Sequence, residues 1–180
     1  NNFIGNTDDS IESQLIEKID GAQHSLNGAF FEFDLQTVAD ALIRAHQRGV
    51  QVQLVYDDEH SDPDPQMSEM IKSGIPAVPD ERSAFMHNKF LVVDNECVWT
   101  GSFNITVNAA YKNNENAVYL CSPELVENYQ TEFAEMFAGQ FGPRSPENTP
   151  NQQFYIGSTM VENYFGPEDD VMEKVVTTVS

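Results

Sequence analysis

The spacing of hydrophobic and polar residues along the chain predicts helices and strands in alternation. Apolar residues recur every three or four positions in residues 10–20, 35–48, 66–73 and 122–138, which predicts four amphipathic helices. Short segments rich in apolar residues, at 25–33, 50–56, 75–78 and 90–93, predict strands. Because the first half of the chain alternates helix and strand, the pattern predicts a layered α/β domain with parallel strand pairing.

Residues 85–116 carry polar groups within this apolar framework. A strand is predicted over residues 87–93, and within it His87 and Lys89 are two positions apart, so both side chains should lie on one face. Residues 94–96 form a predicted turn before a second short strand, residues 97–100. The sequence therefore predicts a hairpin that presents an imidazole and an ammonium group together.

The second strand of this hairpin ends in the corner Gly101-Ser102-Phe103-Asn104. Its hydroxyl and carboxamide groups should project from a strand end that neighbours His87 and Lys89. These four groups suit the oxygens of a phosphate, and no cluster of cysteines or carboxylates accompanies them that would hold a metal.

The pattern His-x-Lys-x4-Asp-x6-Gly-Ser-x-Asn resembles the signature of the phospholipase D superfamily. The matching residues are His87, Lys89, Asp94, Gly101, Ser102 and Asn104, and Glu115 matches the acidic residue that members carry shortly downstream. A lone His-x-Lys pair on a surface strand would carry no weight, whereas six fixed residue types in this order are specific. The resemblance implies an α-β-α sandwich, in which helices flank a mixed, mostly parallel sheet.

The resemblance also implies a reaction that needs neither a metal nor a cofactor. In the family, two His-x-Lys motifs face each other across a pseudo-twofold axis. One histidine attacks phosphorus and forms a phosphohistidine, and the other protonates the leaving group. Carried to this chain, His87 is the nucleophile or the acid, while Lys89, Ser102 and Asn104 bind the phosphate oxygens. Glu115 would orient the imidazole, whereas Asp94 and Gly101 are structural members of the motif.

A weak internal repeat indicates how the second motif is supplied. Residues 164–173 align with residues 3–12, with Gly, Asp, Asp and Glu coinciding. A repeat of this length predicts a duplicated domain. We therefore expect a catalytic lobe over residues 1–140, a Pro- and Gly-rich linker over 141–153, and the start of a second lobe over 154–180. The partner motif would come from that second lobe in a longer protein, or from a second copy in a homodimer.

Charge bears on the choice of substrate. The 180 residues include 29 acidic and 9 basic side chains, a net charge of −20, so the average surface repels nucleic acid and anionic lipid alike. The Gly-Ser-Phe-Asn corner resembles the nuclease-like and bacterial phospholipase D-like branch, and the resulting hypothesis is an endonuclease. The alternatives are a phospholipase D acting on lipid head groups and a lobe that binds phosphate without turnover.

Four further features complete the expectations. Cys97 and Cys121 form either one disulfide or two buried thiols. The acidic loop 57–64 is expected to be solvated, with a cation site as the alternative because carboxylates suit calcium or magnesium. The aromatic run 29–33 is expected to be core rather than a binding surface. No apolar run has the length of a membrane span, and we expect a secreted or periplasmic protein without membrane insertion.

Overall fold

A computed structural model of the protein describes residues 9–61 and 64–179, and it shows a six-stranded sheet between two layers of helices. The helices are α1 (Ile11–Gly21), α2 (Gln36–Gln47), α3 (Asp58–Ser61), α4 (Pro65–Lys72), α5 (Val107–Tyr111), α6 (Pro123–Phe137) and α7 (Val171–Val179). The strands are β1 (Ser25–Phe30), β2 (Gln51–Tyr56), β3 (Ala77–Pro79), β4 (Lys89–Val93), β5 (Cys97–Gly101), β6 (Ala117–Leu120), β7 (Gln153–Ile156) and β8 (Thr159–Glu162). Most of the first copy of the repeat, residues 3–12, lies outside the described residues.

The predicted helices form where the sequence provides start and stop signals. Ser10 caps α1, because its side-chain oxygen accepts the backbone N–H of Ser13 at 3.1 Å. The inward positions of this helix, Leu15 and Ile19, are fully buried. Gly49 follows α2 with φ +95°, a conformation that favours glycine and ends the helix there.

The sheet has the strand order β3-β2-β1-β4-β5-β6. Parallel pairing joins β1 to β2 and β2 to β3, whereas the pairings β1–β4, β4–β5 and β5–β6 are antiparallel. The mixed α/β sandwich is thus confirmed, and its parallel part is the first half of the chain, from which parallel pairing was predicted. The second half is antiparallel because β4 and β5 are joined by a tight turn, which only antiparallel strands allow.

The hairpin of β4 and β5 differs from the prediction at its beginning. The strand starts at Lys89 rather than at His87, because the last residue of β1, Phe30, pairs with Lys89 and the chain of β1 then turns away. At the other end, Asp94 and Asn95 have φ angles of 52° and 58°, and Glu96 N donates to Val93 O at 3.0 Å. This geometry is that of a hairpin turn in which Asp and Asn tolerate positive φ.

Two hydrophobic layers enclose the sheet. One layer packs α1, α2 and α4 against one face, and the other packs α6 against the opposite face. Phe30 and Phe33 belong to the core as predicted, whereas Phe31 is buried outside both core clusters, just past the end of β1. Because the sheet is covered on both faces, polar side chains that serve a site must project from the ends of its strands.

The chain after α6 folds back onto that helix. Phe141 and Phe154 are buried in the same cluster as Met136 of α6. The Asn128 side chain bonds Asn151 N and Asn151 O at 2.8 Å each. The hairpin of β7 and β8 was not predicted; apart from Gln153 it lies in residues 154–180, the stretch expected to begin a second lobe.

A disulfide joins Cys97 and Cys121, with 4.1 Å between their Cα atoms. The neighbouring residues Val98 and Leu120 are partners in the β5–β6 ladder, so the bridge links adjacent strands at their ends. It therefore fixes the outermost strand of the sheet, β6, to the strand that carries the Gly-Ser-Phe-Asn corner.

The acidic loop is less solvated than expected. Residues 58–61 form the short helix α3, and the Asp57 and Ser61 side chains beside it are buried. Within residues 9–61 and 64–179, no three His, Cys, Asp or Glu side chains are grouped as ligands for a metal ion. The loop is instead organised by hydrogen bonds to Asp57, because a buried carboxylate requires donors.

Candidate active site

The motif residues His87 and Lys89 meet at the end of the sheet where β1 and β2 finish and β4 begins. Lys89 Nζ donates to the backbone oxygen of His87 at 3.0 Å. The Lys89 ammonium lies 5.0 Å from the centroid of the Phe31 ring, and the centroid of the His87 ring lies 4.6 Å from the same Phe31 centroid. Phe31 thus holds both groups on one aromatic surface, with a cation–π contact to the ammonium.

Asn104 is held in the same site by a residue that sequence reasoning missed. Asn104 Nδ2 donates to Glu32 Oε2 at 2.7 Å, and Asn104 Oδ1 is buried without a hydrogen-bond partner. Glu32 interrupts the apolar run after β1, and it was assigned to the core with its neighbours. A single carboxylate within an aromatic run is the signal that could have identified it.

Ser102 and Glu115 form the opposite side of the site. Ser102 Oγ donates to Glu115 Oε2 at 2.5 Å and accepts Asn116 N at 3.0 Å. The Glu115 carboxylate also accepts from Asn113 Nδ2 at 3.2 Å. Glu115 was predicted to orient the imidazole of His87, whereas within this chain its described hydrogen bonds go to Ser102 and Asn113. The serine hydroxyl is therefore the group that Glu115 positions.

The Lys89 ammonium is close to both hydrogen-bonded pairs, Glu32–Asn104 and Glu115–Ser102. Burial lowers the pKa of Lys89 to about 8, while the nearby carboxylates of Glu32 and Glu115 act in the opposite direction. Since Glu32 binds Asn104 and Glu115 binds Ser102, the amide and the hydroxyl both lie near this ammonium. The structure thus brings three of the predicted residues, Ser102, Asn104 and Glu115, to the neighbourhood of the Lys89 ammonium.

The surroundings of the His87 imidazole favour its neutral form. Burial lowers the pKa of His87 below its ordinary value of 6.5, and the adjacent Lys89 ammonium lowers it further. A neutral imidazole and a charged ammonium therefore coexist at pH 7. The combination provides a nucleophile or base beside a group that stabilises negative charge on phosphoryl oxygens.

Asp57 is a second residue that sequence reasoning did not place in the site. Its side chain is 1% exposed, and Asp57 Oδ2 accepts the backbone N–H of Met86, the residue before His87, at 3.0 Å. Asp57 Oδ1 accepts both the backbone N–H of His60 and its ring Nδ1, at 3.1 and 2.8 Å. Its position directly after the buried strand β2 is the signal that could have indicated its role.

A cavity of about 290 Å³ opens beside His87. Its wall includes Arg82 and Phe85 on one side and Glu132 and Glu168 on another. The pKa of Glu132 is raised to about 8, first by burial and then by the negative charge of Glu168. The cavity therefore carries less negative charge at pH 7 than its carboxyl groups suggest.

Asp94 lies at the opposite end of the sheet from His87. Its carboxylate accepts the backbone N–H groups of Gln23, His24 and Ser25 at distances from 2.7 to 3.1 Å. Burial alone would raise the pKa of Asp94, but these backbone hydrogen bonds outweigh it and the pKa is lowered. The predicted structural role of Asp94 agrees with this geometry, because the carboxylate ties the turn before β1 to the turn after β4.

We predict that Asp94→Ala lowers the free energy of unfolding by about 1–3 kcal/mol, the cost of losing hydrogen bonds to a charged carboxylate. Because the pKa of Asp94 is lowered on folding, this stabilisation is present above its unfolded pKa and is lost as pH falls through its folded pKa. Urea unfolding at pH 7 and below pH 4 should show the difference between wild type and variant shrinking in acid. Glu96→Ala, in the exposed part of the same turn, is the control.

The fold and this arrangement of residues define the class of phospholipase D-like domains, and comparisons with known proteins agree. Residues 15–137 match the family described as "Cardiolipin synthase, PLD-like domain". A mitochondrial cardiolipin hydrolase of Xenopus laevis is 36% identical over 130 residues, which cover 72% of this chain and 62% of that protein. A phospholipase D of Rickettsia prowazekii is 29% identical over 116 residues, covering 64% of this chain and 57% of that protein.

Among solved structures, the phospholipase D family member Nuc from Salmonella typhimurium superimposes with a TM-score of 0.68 at 31% identity. The match covers 74% of this chain and 91% of Nuc. The chain belongs to the phospholipase D superfamily. It spans about three-fifths of the length of the frog and rickettsial relatives. None of the described helices is both long enough and apolar enough to cross a lipid bilayer.

Proposed function

We propose that the protein is a metal-independent phosphodiesterase that acts through a covalent phosphohistidine at His87. The observation that carries this proposal is the pairing of a neutral His87 imidazole with the Lys89 ammonium on the ring of Phe31. A neutral imidazole nitrogen has the lone pair that attack on phosphorus requires. The ammonium and the nearby amide and hydroxyl stabilise the charge that develops on the phosphoryl oxygens.

The proposed reaction proceeds in two displacements at phosphorus. In the first, an imidazole nitrogen of His87 bonds to phosphorus, the bond to the leaving oxygen breaks, and that oxygen takes a proton from a second histidine. In the second, the second histidine removes a proton from water, the water oxygen bonds to phosphorus, and the bond between His87 and phosphorus breaks. The products are a phosphomonoester and an alcohol, and the two histidines return to their starting states.

The second histidine of this mechanism belongs to a second His-x-Lys motif. We propose that residues 154–180 begin the lobe that carries it, with α7 equivalent to α1, or that a second copy of the chain supplies it. The large apolar side chains of α7 support this assignment, since Met172 and Val179 are 75% and 79% exposed. An amphipathic helix of a sandwich domain buries such residues against its own sheet.

For the substrate, we place a nucleic-acid phosphodiester first and a phospholipid head group second. Phe85, whose ring is 62% exposed, contacts the ring of Phe31 at 5.2 Å beside the motif, and an exposed aromatic ring is a surface on which a base can stack. The second candidate is favoured by the relatives named cardiolipin hydrolase and phospholipase D. A lobe that binds phosphate without turnover is the third.

The test is hydrolysis of bis(4-nitrophenyl) phosphate, single-stranded DNA and phosphatidylglycerol micelles, each in excess EDTA. Turnover of the first with one of the natural substrates supports the proposal and selects the substrate class. Quenching with alkaline detergent during turnover should trap a phosphorylated protein whose label is stable in base and lost in acid, as a phosphoramidate is. Absence of turnover together with phosphate binding would identify the non-catalytic alternative.

The pH dependence of kcat/KM provides a separate prediction, because it reports the ionisation of the free enzyme. Attack requires neutral His87, whose pKa lies below 6.5. Activity should therefore rise as pH increases through the pKa of His87. Charge stabilisation requires the protonated Lys89, so activity falls as pH passes its pKa of about 8. The profile should be a bell with its maximum between these limits. A profile that rises continuously to pH 10 would contradict the role of Lys89.

We also propose an oxidising compartment, outside the cell or in the periplasm, as the location of the protein. The disulfide between Cys97 and Cys121 supports this proposal, because such bonds persist mainly in oxidising compartments. Fractionation of cells that produce the full-length protein, with thiol labelling of each fraction, tests it.

A further inference from the structure

The site contains a second histidine that the motif does not include. The ring centroid of His60 lies 4.5 Å from that of Phe31, and the ring centroid of His87 lies 4.6 Å from the same point. His60 belongs to α3, directly after the buried strand β2, whereas His87 precedes β4. Two of the four histidines of the chain therefore contact one aromatic ring at the end of the sheet.

The orientation of the His60 ring follows from its contacts. Its Nδ1 bonds the Asp57 carboxylate at 2.8 Å, and this carboxylate is 1% exposed, so the Nδ1 edge faces inwards. The ring packs against Phe31 and also lies 4.7 Å from the ring of Phe85, edge to face. The His60 side chain is nevertheless 28% exposed. Since Nδ1 faces the buried carboxylate, we infer that the exposed part includes Nε2.

Resting on the proposed phosphodiesterase function, we propose that Nε2 of His60 binds an oxygen of a second phosphate, adjacent in the substrate to the scissile one. The carboxylate already accepts at Nδ1, so Nε2, on the other side of the ring, is the nitrogen left to contact a phosphate oxygen. His60 would therefore be a specificity-determining residue rather than a participant in bond breaking. It would favour substrates in which two phosphates are separated by a short polyol or sugar.

Both candidate substrate classes contain this feature. In a nucleic-acid strand, a sugar separates successive phosphates, and in cardiolipin a glycerol separates the two. Positive charge near His87, from Lys89 and from Arg82 in the adjacent cavity wall, adds to the attraction for a doubly anionic ligand. On a protein with a net charge of −20, such local recognition is needed to hold a polyanionic substrate.

The test compares substrates in matched pairs. The nucleotide pair is the thymidine dinucleotide, which contains a single phosphodiester, and the same dinucleotide with a 5′-phosphate. The lipid pair is phosphatidylglycerol and cardiolipin in identical micelles. In one pair, kcat/KM should be about tenfold or more higher for the substrate with two phosphates, the effect of a hydrogen bond to a charged group. The pair that shows the preference identifies the source of the second phosphate.

Two substitutions separate the roles of the ring nitrogens. In His60→Asn the amide can occupy the position of Nδ1 and keep the hydrogen bond to Asp57, but nothing replaces Nε2. In His60→Gln the longer side chain can reach the position of Nε2. The preference should disappear in His60→Asn and survive in part in His60→Gln. His24→Gln, at an exposed position at the opposite end of the sheet, should retain the full preference.

Three results would overturn the inference. The first is equal kcat/KM within both pairs for the wild type, and the second is an unchanged preference in His60→Asn. The third is an equal loss of kcat/KM in His60→Asn on both members of a pair, which would mean that His60 only positions His87. Titration of the His87→Ala variant with both members of each pair gives the binding preference without turnover. Equal affinities there contradict the second phosphate site, whereas unequal affinities with no wild-type turnover contradict the proposed function instead.

Discussion

Replacement of His87 by alanine is expected to lower kcat for phosphodiester hydrolysis by at least about a thousandfold, because it removes the proposed nucleophile. The loss should appear in kcat, since Lys89, Ser102 and Asn104 remain to bind the phosphate. The same variant should yield no acid-labile phosphorylated protein after quenching. Steady-state rates on bis(4-nitrophenyl) phosphate in EDTA and a quench during turnover measure both effects.

His24→Ala is the matched control for this experiment, because it removes an imidazole from an exposed position at the far end of the sheet. Its rate and its labelling should equal those of the wild type. Turnover that survives in His87→Ala would contradict the covalent mechanism. If the variant is labelled but does not turn over, then a histidine other than His87 is the nucleophile, and His87 acts as the acid.

Gly101→Ala is expected to have the largest effect on folding, lowering the free energy of unfolding by about 3 kcal/mol. A Cβ atom at this position would lie 2.2 Å from the backbone oxygen of Asn116 and 2.8 Å from the Cα atom of Ala117. Both contacts are with backbone, so β5 and β6 would have to separate. This movement would also displace Glu115 from Ser102, and the activity of the folded fraction should fall as well.

Gly21→Ala provides the comparison, because a Cβ atom there meets nothing within 4 Å and the residue ends α1. Alanine has the better helix propensity, so this variant should be neutral or stabilised by up to about 1 kcal/mol. Urea unfolding of both variants measures the contrast. A Gly101→Ala protein as stable as the wild type would show that the ladder between β5 and β6 can open without cost.

Four of the helices, α1, α2, α4 and α6, and most strands could be predicted because their signals are local. Ser10, for example, caps α1 one residue before the buried periodic positions begin, and a glycine follows α2. The start of β4 could not be predicted in this way. The run from His87 onwards has the pattern of a strand, but the strand begins where β1 offers a partner, and this is a property of a segment some 60 residues earlier in the chain.

For the site, the regular motif could be recognised, whereas its supporting residues could not. His87, Lys89, Ser102 and Asn104 are spaced in a recognisable order within one hairpin and corner. Glu32 and Asp57 come from two other strand ends, and they reach the site only because β1 and β2 finish beside the start of β4. Neither residue has a motif of its own, so burial and hydrogen bonds were needed to identify them.

The placement of Asp94 shows that the His-x-Lys-x4-Asp part of the motif joins residues with two different roles. His87, Lys89 and Asp94 belong to one sequence pattern, yet Asp94 follows Lys89 by five positions along and just past β4, a distance of about 17 Å. The strand β4 thus begins with Lys89, a residue of the candidate site, and is followed by Asp94, a residue that ties two turns together. A screen for activity alone would not distinguish the loss of Asp94 from the loss of His87, although we expect the first to lower the free energy of unfolding and the second to remove the proposed nucleophile from a folded protein.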